Sequence, residues 1–231
     1  MQERIWFLKN CDLLGQLSND QLSDLERHCQ IRTFPKASPI YLPSQAADSV
    51  LLVAKGLVKI CHLTSDGKQS IMAFVKPGEI FGELSLFDSN ERGEYTEAME
   101  ATSIIRIPSH VLRELMSTRM DIAVGITKLF GLRRHRIEQR LKNLLFTSNQ
   151  HRLNHLLLDL ADQFGIATNI GIQLGLKLSH QEMANLIGTT RETVTIMLGK
   201  MKSEGLISGH RQTVILCDII RLATSVGRSP P

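Results

Sequence analysis

The sequence predicts an α+β protein with three parts in order: an antiparallel β sandwich or barrel, one long helix, and a small helix-turn-helix unit. Three observations carry this. Between Ile31 and Ile107, short apolar runs alternate with turn residues, at the ~8–12-residue spacing of antiparallel strands. Between Ile122 and Leu145, apolar residues recur mostly three, four and seven apart, the period of a one-sided helix. Between Leu178 and Met201, two short helical stretches with cap residues flank a single glycine. The expected divisions are residues 1–108, 109–147 and 148–231.

The first stretch, Trp6 to Gln30, reads as one or two short helices. Ser18-Asn-Asp-Gln21 has the N-cap and the third-position glutamine of a capping box. The strands follow at Ser49–Ala54, Leu57–Leu63, Ser70–Val75, Ile80–Phe87 and Ser103–Ile107. Breakers stand between them at Lys55-Gly56, Ser65-Asp66-Gly67, Lys76-Pro77-Gly78 and Asp88-Ser89-Asn90. Pro108-Ser109 closes this region, and Ser109 is placed to cap a helix through Leu115.

In the long helix, Ile122, Ile126, Leu129, Phe130, Ile137, Leu141, Leu144 and Leu145 form one stripe. Arg133, Arg134, Arg136, Arg140 and Lys142 lie on the opposite face. A stripe of this length needs cover, either from the helix's own domain or from a second copy of the same helix. Gly125 and Gly131 would let a neighbouring backbone come close. Another helix runs from about Gln150 to Phe164. A loop then extends from Gly165 through Asn169-Ile-Gly171, and Gly171–Leu178 reads as a strand.

Composition bounds the function. Apolar residues make up 42% and charged residues 22% of the 231, as in an ordinary globular protein. No apolar run approaches the ~18–20 residues of a membrane span, and no signal peptide is read at the N-terminus. The four cysteines lie far apart with no CxxC pair, which argues against a disulfide frame or zinc site and fits the reducing cytoplasm. Residues 1–108 carry 11 basic and 14 acidic side chains, residues 109–147 carry 8 and 3, and residues 148–231 carry 8 and 6. An acidic front and a basic back direct a polyanion to the second half. No P-loop, GxGxxG, Ser-His-Asp order or paired catalytic carboxylates occur, so an enzyme is not expected.

The segment Leu178–Met201 is the most informative. Ser179 with Glu182 makes a capping box for a first helix. Ala184 keeps the helix crossing small, and Gly188 supplies a positive φ at the turn. Thr189 or Thr190 caps a second helix. There Val194 and Leu198 point inward, while Arg191, Glu192 and Thr195 face outward. This is helix-turn-helix spacing, whose second helix enters the major groove of double-stranded DNA. Arg191 can pair with guanine O6 and N7, and Glu192 can accept from the cytosine amino group. Ser179, Gln181, Thr190 and His210 are candidates for phosphate contact. Leu206 to Leu216 reads as a β-hairpin around Gly209-His210, a wing beside the helices.

Two stretches, Ile187-Gly-Thr-Thr-Arg-Glu-Thr-Val-Thr195 and Gly78-Glu-Ile-Phe-Gly-Glu-Leu-Ser-Leu-Phe87 followed by Glu91-Arg92, resemble the cyclic AMP receptor/Fnr superfamily of bacterial transcription regulators. The order of segments matches over nearly the whole chain. The run Leu176 to Gln181 with Gly188 to Gly199 is also similar to the cyanobacterial nitrogen-control branch. The resemblance implies a cyclic-nucleotide-binding jelly roll, a long dimerisation helix and a C-terminal winged helix-turn-helix. It also implies a homodimer on a palindromic operator, with RNA polymerase as a further partner. Arg191 and Glu192 fall on base-reading positions, and Thr195 accompanies them. A third reader, commonly arginine, is Ile196 here, which can touch a thymine methyl.

The same resemblance places an effector pocket at Gly82, Glu83, Leu84, Arg92, Gly93, Ile137 and Glu138. Glu83 would hold a ribose hydroxyl and Arg92 a phosphate. Gly93, followed by Glu94, stands where the family has a small hydroxyl residue or alanine after the arginine, and Ile137-Glu138 replaces the hydroxyl pair that contacts adenine. A cyclic nucleotide is therefore not expected to bind as in the cyclic AMP receptor. Alternatively, Glu83 and Arg92 pair with each other and stiffen the roll. Cys61-His62 alternates along a strand, giving a buried thiol and an exposed imidazole. His151 and His155 read as surface residues.

Overall fold

A computed structural model describes residues 2–63, 69–87, 90–210 and 212–229. The chain divides into two compact units, Met1–Arg134 and His135–Pro231.

The first unit opens with α1 (Gln2–Lys9) and α2 (Asn19–His28), the latter started by the Ser18–Gln21 capping box. Eight strands follow: β1 (Gln30–Phe34), β2 (Pro39–Tyr41), β3 (Ser49–Lys55), β4 (Val58–Leu63), β5 (Gln69–Val75), β6 (Ile80–Phe81), β7 (Tyr95–Ala98) and β8 (Thr102–Pro108). They form two antiparallel sheets, ordered β1-β8-β3-β6 and β2-β7-β4-β5. Then come α3 (Ser109–Thr118) and α4 (Met120–Phe146).

Strand β3 explains how the two layers share one chain. Its residues are buried from Ser49 to Ala54, so it reads as a continuous apolar run. Leu51 and Val53 face the interior of the roll, with Tyr41, Val58, Ile60, Val75, Phe81 and Ile104. Val50, Leu52 and Ala54 face the other way, into a helical core with Leu14, Leu22, Leu112, Ile122 and Ile126. The period-2 alternation of a strand thus serves two apolar layers.

Several expectations are corrected. The run Ile80–Phe87 is a strand only over two residues. Gly82 takes a left-handed conformation (φ +69°) and turns the chain into a 3-10 helix, Glu83–Leu86. The strands β1, β2 and β7 were absent from the sequence reading. Ser109 does not cap α3; Pro108 holds that position, and the Ser109 hydroxyl donates to Ser85. At Gly125 the close neighbour is the Leu13 side chain rather than a backbone. The breakers at Ser65-Asp66-Gly67 and Asp88-Ser89 lie outside the described residues.

Helix α4 is 27 residues long, and only Ile122 and Ile126 in it are buried. Leu129 and Phe130 pack partly on the helical core of the first unit. Ile137, Leu141, Leu144 and Leu145 are exposed.

The second unit holds α5 (Asn149–Phe164), capped by Ser148, then β9 (Gly165–Thr168) and β10 (Gly171–Leu174). Gly165 therefore opens a strand instead of a loop, and β10 stops four residues earlier than expected. Helices α6 (His180–Ile187) and α7 (Arg191–Ser203) follow, then β11 (Ile207–Ser208), β12 (Ile215–Leu216) and α8 (Ile219–Ser225). The four strands pair as β11-β12-β10-β9. His151 and His155 are half-buried, their rings edge to face at 4.9 Å. Burial, then the neighbouring His151, pushes the His155 pKa down. Of the cysteines, Cys11, Cys29 and Cys61 are buried and Cys217 is exposed; burial pushes Cys29 up to about 12. His62 is exposed, as alternation requires.

Among the described residues, no helix is long and apolar enough to cross a membrane.

Candidate nucleic-acid interface and sensor pocket

In the second unit, the Ser179 hydroxyl accepts from Glu182 N–H at 3.2 Å, and the Glu182 carboxylate accepts from Ser179 N–H at 2.8 Å. Both halves of the capping box are formed, which fixes where α6 begins. Gly188 ends α6 with φ +65° and ψ 51°, a conformation that L residues with a Cβ avoid. Of the two candidate threonines, Thr190 caps α7: its hydroxyl accepts from Thr193 N–H at 3.2 Å.

The cap fixes the rotation of α7. Val194, Met197, Leu198 and Met201 are buried against the unit. Arg191, Glu192, Thr195 and Ile196 are left exposed at the N-terminal half of the helix. The Glu192 carboxyl is held below its usual range, first by its own backbone N–H and then by the Thr190 hydroxyl, as expected for an anion at a helix N-terminus.

The candidate phosphate residues differ in what they have free. Gln181 is exposed and donates to Asn185. His210 is exposed at the tip of the β11–β12 hairpin. Ser179 also donates its hydroxyl proton to Glu182. Arg211 lies outside the described residues. Two residues here escaped the sequence reading. Lys202 of α7 donates to the Gly209 carbonyl at 3.0 Å and ties the hairpin to the helix. His180 Nδ1 lies 2.8 Å from the Thr195 hydroxyl.

In the first unit, Glu83 and Arg92 are both buried, but they do not pair with each other. Arg92 donates to the Gly82 carbonyl at 3.0 Å and to the Ser49 carbonyl at 2.5 Å, and its guanidinium stacks on Tyr41 at 4.6 Å. Burial pushes the Arg92 pKa down. Glu83 pairs instead with Arg133 of α4, which also donates to the Ile80 carbonyl at 2.6 Å. Arg133 sits on the face opposite the apolar stripe, and it turns to the roll rather than to a polyanion. A buried carboxylate needs a cation, so Glu83 itself was the signal for a partner. Tyr41 donates to Glu94 at 2.8 Å; burial, then the Glu94 charge, pushes the phenol pKa up. Leu84 and Gly93 are exposed. Ile137 and Glu138 lie on the part of α4 that belongs to the second unit. A cavity of about 230 Å³ opens beside Arg92, lined also by Tyr41, Ser49, Leu51, Ile104 and Arg106.

A family model for the cyclic nucleotide-binding domain matches residues 31–119, and one for the Crp-like helix-turn-helix domain matches residues 151–225. The chain belongs to the cyclic AMP receptor/Fnr family. As a member of that family it is a sequence-specific DNA-binding transcription regulator rather than an enzyme.

Among similar cyclic AMP receptor/Fnr proteins is the CRP-like cAMP-activated global transcriptional regulator of Mycobacterium tuberculosis. It is 27% identical over 202 residues, covering 87% of this chain and 90% of that protein. The global nitrogen regulator of Synechococcus elongatus is 29% identical over 196 residues, covering 84% and 88%. The structure of the c-di-GMP-responsive regulator CLP of Xanthomonas campestris matches with a TM-score of 0.74 at 24% identity, over 86% of this chain and 99% of that one. The fold class read from the sequence is thus that of the cyclic AMP receptor/Fnr family.

The family's cyclic nucleotide does not fit these residues as they stand. The carboxylate and guanidinium that would hold it are engaged with Arg133, Gly82 and Ser49. Neither Ile137 nor Glu138 offers a hydroxyl to a base.

Proposed function

We propose that the chain acts in the cytoplasm as a homodimer on a palindromic operator, with RNA polymerase as its downstream partner. Arg191 and Glu192 read a G/C pair in each half-site, with Thr195 and Ile196 beside them. Gln181, Thr190 and His210 set the register on the phosphates, and Ser179 joins them by exchanging its bond to Glu182. The exposed stripe Ile137, Leu141, Leu144 and Leu145 supports pairing through α4. The sensor works without cyclic AMP, controlled by another effector or by abundance.

One observation carries this reading. The Thr190 cap and the buried face of α7 leave Arg191, Glu192 and Ile196 exposed together, as groove reading requires. The test is selection from a randomised duplex pool by the purified chain, with and without cyclic AMP. The expected result is a palindrome recovered without ligand, its halves about 10 base pairs apart. Recovery of no sequence overturns the DNA-reading proposal. Recovery only with cyclic AMP overturns the sensor proposal.

A further inference from the structure

His180, the first residue of α6, reaches across the turn to the recognition helix. Its Nδ1 lies 2.8 Å from Thr195 Oγ1, and Thr195 Oγ1 lies 2.9 Å from the Arg191 carbonyl oxygen one turn back. A threonine hydroxyl owns one proton, and a carbonyl can only accept. If that proton pointed at His180, two oxygens would face each other at 2.9 Å with no hydrogen between them. The proton therefore goes to Arg191, and the imidazole is the donor, with its hydrogen on Nδ1. Thr195 then has no proton to offer outside the protein. What remains on this exposed side chain is its γ-methyl and a single oxygen lone pair. Its neighbour Ile196 is 73% exposed and has only apolar groups. Among base edges in the major groove, the thymine C5-methyl is the apolar feature. A freely rotating threonine hydroxyl would instead accept from or donate to several bases.

We propose that His180 is a positioning residue that commits the Thr195 hydroxyl, so that Thr195 and Ile196 act as an apolar pair selecting a thymine methyl beside the G/C pair. The proposal rests on the DNA-reading function above, and the experiment separates the two. The full-length chain is titrated by fluorescence anisotropy against its selected operator. In matched duplexes, each thymine in turn is replaced by deoxyuridine, which lacks only the methyl. The wild-type chain should prefer thymine by about fourfold at one position per half-site, the worth of one buried methyl group. Thr195→Val keeps the methyl without the hydroxyl and should retain that preference. Thr195→Ser keeps the hydroxyl without the methyl and should lose Thr195's share of it. His180→Ala should also weaken the preference by freeing the hydroxyl. The double variant His180→Ala/Thr195→Val should recover it, because no hydroxyl remains to be held. A merely structural role for His180 would lower affinity for both duplexes equally and leave their ratio unchanged. An operator recovered with no thymine–deoxyuridine difference overturns this inference and leaves DNA reading standing. So does a Thr195→Val chain that loses the preference while Thr195→Ser keeps it. A wild-type chain that selects no sequence overturns the underlying function.

Discussion

Replacing Arg92 by methionine distinguishes a structural arginine from a ligand-binding one. Its guanidinium donates to two carbonyls, at 3.0 Å on Gly82 and 2.5 Å on Ser49, and covers the Tyr41 ring at 4.6 Å. Methionine keeps much of the length and apolar body but donates nothing. Hydrogen bonds from a charged group contribute about 1.5–3 kcal/mol each, and methionine's own packing offsets part of the loss. The expected net cost is about 3 kcal/mol, which lowers the melting temperature of a unit this size by about 10 °C. Calorimetry of the intact chain reads this directly. The same experiment with millimolar cyclic AMP should leave the wild-type midpoint in place, since a ligand that binds the folded state must raise it. The reasoning is refuted if Arg92→Met melts within about 2 °C of wild type while cyclic AMP raises the wild-type midpoint. That pair of results would mean that the guanidinium is held in reserve for a phosphate.

Other outcomes follow from the same contacts. Gly188→Ala should destabilise the His135–Pro231 unit by about 1–2 kcal/mol, since a Cβ there would also meet Leu144 at 2.6 Å. Gly188→Asn should cost less, because asparagine tolerates the left-handed region, and urea unfolding compares the two. Arg191→Ala should lose about 1–3 kcal/mol of discrimination at one base pair while affinity for unrelated duplexes changes little. An equal loss on every duplex, measured by anisotropy, removes its base-reading role. Both tyrosines of the chain should titrate late. Tyr41 is pushed up by burial, and Tyr95 is pushed up to about 12, first by burial and then by its hydrogen bond to Glu97. Both folded pKa values lie above the unfolded value near 10, so this stabilisation is complete below pH 10 and falls as pH rises above it; the share of Tyr95 is lost as pH passes about 12, while that of Tyr41 persists longer. Phenolate absorbance at pH 11 should therefore be well below that of the chain in denaturant, and equality of the two would contradict the buried hydrogen bonds.

The sequence was most legible where local chemistry decides local structure. Ser18, Ser179, Gly188 and Thr190 each act within a few residues of themselves, and each does in the fold what its type and spacing announce. Strand β3 was legible because both of its faces are buried, leaving one apolar run. Strands β1 and β7 were not, because Gln30–Phe34 is mostly exposed and Tyr95–Ala98 mixes a charged residue with small ones. In both, pairing with a distant strand overrides a weak local pattern. The site divides in the same way. The exposure of Arg191 and Glu192 follows from helical periodicity. The partner of Glu83 stands 50 residues away on a helix whose arginines all look alike in sequence. Only tertiary packing singles out Arg133, and only the turn brings His180 to Thr195.

The unequal burial of the four thiols has a practical consequence. Three of them are shielded within the first unit, whereas Cys217 stands exposed just after β12, close in sequence to the His210 hairpin. A maleimide dye should thus react first at a single natural position in the DNA-reading unit, with no engineered cysteine. The protein carries its own attachment point for following operator engagement by fluorescence, and slow labelling elsewhere would report opening of the core.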